Sequence, residues 1–355
     1  MKSIKTKLIH PLANKIIDLY SIPNSLFHLT PLVVRLRITN KCNLHCDYCF
    51  LKDSLNQGES DHLSIDEWDK IIKNLPPWTL FDITGAEAFL AKDFHLIMQK
   101  LIRKFKVSLI TNGLKWNEKD IEYYIKNGLS YLMVSLDGTE NYHNEIRGNK
   151  NSFENSIALL KFVKNFKEKN GLNNPVVSVK STLTDDNVDD LIKLNKYLFD
   201  NKLVNIHSIN LMFQNNARDQ VTKFQEYEDV LNSSGNTFKY LNPKKSYEDA
   251  LKLKHNSQGI IFKPNVENLK DYFMYPEKME SPHCKKFKSV VTLYYDGTLN
   301  VCDIGHKVGN IREIDYNFKR MWTFDKYKKF GYLFSKEKKR KACQACCLGK
   351  QVYVE

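Results

Sequence analysis

The chain has 355 residues, 42% of them hydrophobic, which is typical of a globular protein and excludes a largely disordered one. Its 54 lysines and arginines outnumber its 41 aspartates and glutamates, giving a formal net charge of +13. The basic residues are spread among acids and asparagines without a recognised RNA-binding motif, so we expect no nucleic-acid partner. We find no secretory leader and no uncharged stretch of about 20 residues, so we expect a cytoplasmic protein without a membrane span.

Short β-rich runs alternate with helical patterns, which favours parallel strands joined by crossover helices. The helical patterns carry start signals: Ser64 and Glu67 form a capping box, and Asn187 can cap a helix that runs to residue 198. We therefore predict an α/β fold, a partial (β/α)6 TIM-like barrel with its ligand sites at the C-terminal ends of the strands. The six predicted strands are residues 33–39, 80–83, 107–111, 131–136, 176–182 and 204–211.

The sequence changes character after the last of these strands. Residues 214–280 are polar and lysine-rich, and we predict connecting helices and a linker there. Two β runs, 290–295 and 298–302, then flank Asp296-Gly297, a dipeptide typical of hairpin turns. The predicted units are an N-terminal extension (1–32), the barrel (33–213), the linker (214–280) and a C-terminal domain of a hairpin plus helix (281–355).

Three cysteines stand directly after the first predicted strand, at positions 42, 46 and 49. Iron-sulfur cubanes normally take four cysteine ligands, so three would leave one iron open to a small molecule. The alternative is a zinc site that combines Cys46 and Cys49 with Cys343 and Cys346, which gives Cys42 no role. Disulfides are not expected, because cysteines stay reduced in a cytoplasm.

This loop, with an aromatic residue before its last cysteine, resembles that of the radical S-adenosylmethionine (SAM) enzymes. The C-terminal cysteines resemble those of the SPASM/Twitch subgroup of that family. The resemblance implies that SAM chelates the open iron of a cluster held by Cys42, Cys46 and Cys49. It also implies that one electron splits SAM into methionine and a 5′-deoxyadenosyl radical, which takes a hydrogen atom from the substrate.

The segment after the second predicted strand resembles the family's Gly-Gly-Glu-Pro motif, whose backbone and glutamate hold the SAM amino group. Gly85 and Glu87 match that motif, whereas Ala86 and Ala88 replace its second glycine and its proline. We therefore expect Gly85, Ala86 and Glu87 to contact SAM.

The fourth predicted strand is followed by a serine-leucine-aspartate-glycine run and a downstream arginine that also resemble the subgroup. The resemblance implies that Ser135 and Arg147 bind the SAM carboxylate, a task that suits a planar guanidinium. Tyr48 is expected near the adenine, and Lys180 or Ser181 near the ribose.

Four later cysteines resemble the ligands of a Twitch domain, a shortened SPASM domain with one auxiliary 4Fe-4S cluster. They are Cys284, Cys302, Cys343 and Cys346, and the resemblance extends over about residues 33 to 347. Cys347 is left over, as a bystander, an alternative ligand, or a hydrogen-atom donor of the kind radical epimerases use. The expected cofactors are thus two 4Fe-4S clusters and SAM.

The resemblance leaves the substrate open between small molecules and peptides. Because the first strand begins near residue 33, we see no room for an N-terminal peptide-recognition domain, and we favour two-electron oxidation of a carbohydrate, nucleotide-sugar or related small molecule. The alternatives are thioether formation or epimerisation of a ribosomal peptide, or an iron-sulfur electron carrier without catalysis. Lysines beside Cys284 and Cys343 could steer an acidic flavodoxin or ferredoxin as electron donor.

Overall fold

One sheet of ten strands organises the computed structural model, which describes residues 29–49, 51–211, 242–263, 269–274, 288–301 and 307–328. The strand order is β10-β9-β8-β1-β2-β3-β4-β5-β6-β7. The strands are β1 Val33–Arg37, β2 Leu80–Ile83, β3 Lys106–Thr111, β4 Tyr131–Ser135, β5 Val176–Leu183, β6 Ile206–Leu211, β7 Ile260–Lys263, β8 Val290–Tyr294, β9 Thr298–Asn300 and β10 Lys307–Asn310.

Strands β1 to β7 are parallel and lie side by side in chain order, each joined to the next by a crossover that carries helix. This arrangement confirms the α/β class and the partial TIM-like barrel. The helices are α1 Ile65–Asn74, α2 Phe94–Ile102, α3 Glu118–Lys126, α4 Glu140–Arg147, α5 Ser152–Lys169, α6 Val188–Asp200, α7 Pro243–His255 and α8 Leu269–Met274.

The predicted start of α1 is confirmed. The Glu67 amide donates to Ser64 Oγ at 3.3 Å, and the Ser64 amide donates to Glu67 Oε2 at 2.7 Å, so the capping box satisfies two backbone donors at once. Trp68 and Ile71 form the buried face of α1 and pack in the core. None of the helices among the described residues is long and apolar enough to span a lipid bilayer.

The two faces of the parallel sheet differ in polarity because side chains alternate along each strand. The face that packs against the helices is apolar and forms the core, with Val34, Leu36, Phe81, Ile83, Val107, Leu109, Leu132, Val134, Val177 and Val179 fully or almost fully buried. On the opposite face Arg35 pairs with Asp82 at 3.4 Å. The face that the helices do not cover is therefore mixed in polarity, with this ion pair as well as Ile110 and Met133.

Two features of the C-terminal half differ from the prediction. Residues 260–263, inside the predicted linker, form β7, which pairs in parallel with β6. The apolar run at residues 260–262 is too short to predict a strand by itself. It forms a strand because it pairs with β6, which is far from it in the sequence. The predicted hairpin is present as β8 and β9, but β8 also pairs in parallel with β1, so the hairpin extends the barrel sheet.

Hydrogen bonds and ion pairs from Arg312 and Tyr316 connect this C-terminal region to the start of α1. Arg312 donates from Nε to Glu67 Oε1 at 2.6 Å and from Nη1 to Asp61 Oδ2 at 2.8 Å. The Tyr316 hydroxyl donates to the same Glu67 oxygen at 2.8 Å. The hydrogen bond from Arg312 lowers the pKa of Glu67 to about 2. The carboxylate thus holds together segments that lie more than 240 residues apart in the chain.

We expect a coupling free energy of about 1.5 to 3 kcal/mol between Arg312 and Glu67, the range for hydrogen bonds to charged groups. A double-mutant cycle of Arg312→Gln and Glu67→Gln, followed by urea unfolding at pH 7, measures it. Because the pKa of Glu67 is lowered on folding, the coupling should be complete above about pH 4.5 and shrink as the pH falls towards 2.

The exposed pair of Glu122 and Lys126, one helical turn apart on α3, is the matched control. Its coupling should stay below about 0.5 kcal/mol. A coupling between Arg312 and Glu67 as small as that of the control would contradict the claim that this pair stabilises the contact between the C-terminal region and α1.

Candidate active site

The loop that carries Cys42, Cys46 and Cys49 follows β1 at the C-terminal edge of the sheet. Asn56 holds its first cysteine through two backbone bonds: the Cys42 amide donates to Asn56 Oδ1 at 3.0 Å, and Asn56 Nδ2 donates to the Cys42 carbonyl at 3.0 Å. Asn56 has a φ of 59°, in the left-handed region that asparagine tolerates better than most residues. The residue is therefore suited to this backbone clamp.

The ends of other strands hold the rest of the loop. After β2, the Glu87 amide donates to the Lys41 carbonyl at 3.0 Å. After β3, Asn112 Nδ2 donates to Asn43 Oδ1 at 2.8 Å. The carbonyl of Ile146 on α4 accepts from the Asp47 amide at 3.3 Å. The backbone of the cysteine loop is thus fixed by the protein itself.

All three cysteines of the loop are free thiols, with Cys46 buried and the other two half-buried. Burial raises the pKa of each thiol, that of Cys42 to about 11, and the charges of Cys46 and Cys49 contribute to the value for Cys42. The three thiols therefore lie close enough together for the charge of one to affect the pKa of another.

In the described part of the chain, no three His, Cys, Asp or Glu side chains come close enough together to hold a single metal ion. A mononuclear site requires its ligands to converge on one atom, whereas each thiolate of a cubane binds a different iron. Cys42, Cys46 and Cys49 are three thiols on one loop, one fewer than the four cysteines that a 4Fe-4S cluster normally takes, and their role as cluster ligands stays a prediction.

A buried ion pair lies directly behind this loop. Arg147 donates from Nε and Nη2 to Asp137 Oδ2, at 2.6 and 2.5 Å. Burial alone would raise the pKa of Asp137, but Arg147 and the other partners outweigh it and lower that pKa. The Tyr48 hydroxyl donates to the same oxygen, and Arg147 Nη1 donates to Cys46 Sγ at 3.7 Å. The pair thus contacts two residues of the cysteine loop.

Glu87 is buried, with 1% of its surface exposed. Its carboxylate accepts from Thr111 Oγ1 at 2.9 Å and from the Asn112 amide at 2.7 Å, which ties the end of β2 to the end of β3. Burial raises the pKa of Glu87 to about 7. Just before it, Gly85 has a φ of 117°, and a Cβ there would lie 3.2 Å from Arg37 Cγ, so the turn requires glycine. Contacts of this turn with SAM stay a prediction.

The structure brings together only some of the other predicted SAM contacts. Ser135 at the end of β4 pairs in register with Lys180 on β5, and both are partly exposed. Ser181 is not part of the site, which corrects its assignment to the ribose. Alternation turns it to the helix-covered face, where its hydroxyl donates to the Leu136 carbonyl and pairs with His207 Nε2 at 2.7 Å.

Two residues behind the site were missed or misassigned from the sequence. Asp137 lies in the run quoted for Ser135, but its role as the partner of Arg147 was not predicted. Asn187 stands at the predicted cap of α6 without making the cap bond. Its Nδ2 instead donates to the carbonyls of Asp137 at 3.0 Å and Thr182 at 2.9 Å. Polar residues directly after strand ends are the signal that could have found them.

The remaining predicted ligands lie outside the described residues. These are Cys284, Cys302, Cys343, Cys346 and the spare Cys347. The described part of the hairpin that leads to Cys302 ends at residue 301. Their assignment to an auxiliary cluster stays a prediction.

Two buried histidines complete the support of the site. His143 Nδ1 accepts from the Asp137 amide at 3.1 Å, and its Nε2 pairs with Ser152 Oγ at 2.9 Å. His207 lies between Ser181 and Asn195, at 2.7 and 3.1 Å. Burial lowers the pKa of each histidine to about 3. Both imidazoles are therefore neutral at physiological pH.

We expect acid to destabilise the protein through these histidines. An unfolded histidine binds a proton below about pH 6.5, whereas the folded ones bind one only near pH 3, so stability is lost as the pH falls through that window. Each contributes about 1.4 kcal/mol per pH unit. Urea unfolding between pH 6.5 and 5 should give a slope that is smaller by this amount in His207→Gln than in the unaltered protein.

The comparison between variants is needed because Glu87, whose pKa is raised, contributes a slope of opposite sign in the same window. Leu96→Gln, at an exposed position on α2, removes no titrating group and is the control; it should keep the slope of the unaltered protein. Equal slopes in His207→Gln and the unaltered protein would show that His207 is not held neutral.

Comparison with known proteins assigns two regions of the chain. Residues 36–198 match the family model described as the radical SAM superfamily, and residues 284–347 match the SPASM model, described as an iron-sulfur cluster-binding domain. The chain therefore belongs to the radical SAM superfamily, in its SPASM-type subgroup, and its cofactors are SAM and 4Fe-4S clusters.

Curated relatives match over part of their length. The sporulation killing factor maturation protein SkfB of Bacillus subtilis (strain 168) is 30% identical over 173 residues, which are 48% of this chain and 40% of SkfB. The GTP 3′,8-cyclase of Synechocystis sp. is 32% identical over 108 residues, which are 29% of this chain and 33% of the cyclase. The antilisterial bacteriocin subtilosin biosynthesis protein AlbA of B. subtilis is 29% identical over 144 residues, covering 38% of this chain and 30% of AlbA.

Among solved structures, Streptococcus suis SuiB bound to S-adenosylmethionine has the same fold. Its TM-score is 0.61 at 14% sequence identity, and the match covers 87% of this chain and 70% of SuiB. SuiB bound to the precursor peptide SuiA gives a TM-score of 0.60, with 88% of this chain and 70% of SuiB covered. At this identity the likeness concerns the fold alone.

Proposed function

We propose that this protein is a radical SAM enzyme that modifies a ribosomally made peptide. The observation that carries the proposal is the 30% identity to SkfB, a maturation protein, over 48% of this chain. AlbA, a bacteriocin biosynthesis protein, and SuiB, crystallised with a precursor peptide, support the same substrate class. The matches to GTP 3′,8-cyclases of Synechocystis sp. and Mannheimia succiniciproducens cover 29% and 36% of the chain, less than the 48% for SkfB, and give a nucleotide substrate less support.

The peptide substrate was the alternative in the sequence analysis, where a carbohydrate or nucleotide-sugar was favoured. That preference relied on the position of the first strand alone. SkfB matches 173 residues, whereas the GTP 3′,8-cyclases of Synechocystis sp. and Mannheimia succiniciproducens match 108 and 145, so the longest of these matches favours the alternative. Oxidation by two electrons remains compatible with either substrate class.

The residues of the cysteine loop are proposed to hold the catalytic cluster. Cys42, Cys46 and Cys49 supply three thiolates, and the clamps at Asn56 and Asn112 keep the loop in place. When bound, the cluster and SAM supply a 5′-deoxyadenosyl radical that removes a hydrogen atom from substrate.

The face of the sheet that the helices do not cover is proposed to meet SAM and the peptide. Ser135 and Lys180 lie opposite each other on neighbouring strands, and both are partly exposed on that face. Deeper on the same face, Arg35 pairs with Asp82. Polar side chains in this position suit the polar backbone of a peptide, because buried amide groups require hydrogen-bond partners.

The proposal predicts modification of a small peptide encoded beside the gene for this protein. Reconstituted and reduced protein should convert that peptide in the presence of SAM, as followed by mass spectrometry in deuterated solvent. Loss of two hydrogen atoms would indicate a crosslink such as a thioether. Exchange of one hydrogen for one solvent deuterium, with no other change in mass, would indicate epimerisation. If Cys347 is the hydrogen-atom donor, Cys347→Ala should then stall the reaction.

The control for this experiment is the variant with Cys42, Cys46 and Cys49 all replaced by Ala, which should give no product. A parallel reaction contains GTP and a panel of nucleotide-sugars in place of the peptide. Turnover of one of these small molecules, with the peptide unchanged, would contradict the proposed substrate class.

A further inference from the structure

Arg147 already makes contacts within the protein with all three of its guanidinium nitrogens, which a residue used only to bind SAM would not need. Two of its nitrogens, Nε and Nη2, donate to one oxygen of Asp137, and the side chain is only 11% exposed. Its third nitrogen, Nη1, points at Cys46 Sγ at 3.7 Å. Moving the guanidinium away would leave Asp137 as an uncompensated buried charge, which makes the observed position strongly preferred.

Asp137 is itself held on several sides. Its Oδ1 accepts from the Thr182 amide at 2.8 Å, its own amide donates to His143 Nδ1 at 3.1 Å, and its carbonyl accepts from Asn187 Nδ2 at 3.0 Å. Strand β5, helix α4 and the residue that precedes helix α6 thus fix Asp137 through its carboxylate and its backbone. Because the anion is fixed, the arginine that it binds is fixed relative to the cysteine loop.

We infer that Arg147 is a positioning residue that acts on the catalytic cluster through Cys46. Its Nη1 donates to the Cys46 sulfur, Asp137 holds the donor there, and the contact raises the reduction potential of the cluster. The inference rests on the proposed function only in assigning Cys46 as a cluster ligand. It adds a role for Arg147 that is separate from the predicted contact with the SAM carboxylate.

The sign of the effect follows from charge. Reduction adds an electron to the cluster, and part of the added negative charge resides on its sulfur ligands. A cationic donor next to one ligand stabilises the reduced state more than the oxidised state, and hydrogen bonds to cluster sulfurs are a recognised determinant of potential. The effect is strengthened by burial, because the local dielectric constant is low.

The test is a redox titration of the reconstituted full-length protein, followed by electron paramagnetic resonance in the absence of SAM. The signal of the catalytic cluster is identified in a parallel sample as the one that changes when SAM is added. At a fixed potential, the ratio of reduced to oxidised catalytic cluster should be about tenfold lower in Arg147→Gln than in the unaltered protein. For a one-electron couple this corresponds to a midpoint potential about 59 mV lower.

Two further variants guard against misfolding of Arg147→Gln, which leaves Asp137 unpaired. The double variant Asp137→Asn with Arg147→Gln removes both charges; because Arg147 and not Asp137 contacts the Cys46 sulfur, its potential should still be lower than in the unaltered protein, by less than in Arg147→Gln. Arg147→Lys keeps the charge without the planar fork and should give an intermediate value. Arg103→Gln removes an exposed arginine that donates to Tyr123 at 3.0 Å, and its potential should not change.

The outcomes separate the two claims. Unchanged potentials in Arg147→Gln and in the double variant, at full iron content, would overturn the inference; weaker SAM binding alone would then make Arg147 a carboxylate contact only. Absence of any SAM-responsive iron-sulfur signal in the unaltered protein would instead overturn the proposed function.

Discussion

The ion pair between Asp137 and Arg147 is the interaction on which the candidate site depends. Removing two charges from water is costly, so such a pair stabilises a fold only when its remaining hydrogen-bonding positions are satisfied. Here the carboxylate also accepts from Tyr48 and from the Thr182 amide. The guanidinium reaches Cys46 with its third nitrogen. The pair therefore joins the end of β4 to the cysteine loop.

The parallel sheet explains why these residues meet. The C-terminal ends of β1 to β5 lie along one edge, so the segments after each strand become neighbours although they are far apart in sequence. Asn112 after β3 and Glu87 after β2 reach the cysteine loop, and Asn187 after β5 reaches Asp137. A loop whose backbone is held by this many elements presents its cysteines on a rigid support, as a cluster site requires.

Much of this arrangement could be predicted from the sequence. The six predicted strands end within two residues of the observed ones, because local β propensity and alternating helical patterns carry that information. The cysteine motif predicted the family, which is confirmed. Strand β7 could not be predicted, since it depends on pairing with β6. The face on which Ser181 lies and the pairing of Asp137 with Arg147 depend on strand register and on distant contacts in the same way.

The central claim is that Cys42, Cys46 and Cys49 hold a cluster that cleaves SAM. The most direct test measures iron content and formation of 5′-deoxyadenosine by anaerobically reconstituted, reduced protein, with the triple Ala variant alongside. We expect about eight iron atoms and SAM cleavage for the unaltered protein, and about four iron atoms without cleavage for the variant, as two four-iron sites require. Stoichiometric zinc without iron-sulfur absorbance, or a triple variant that still cleaves SAM, would contradict the account.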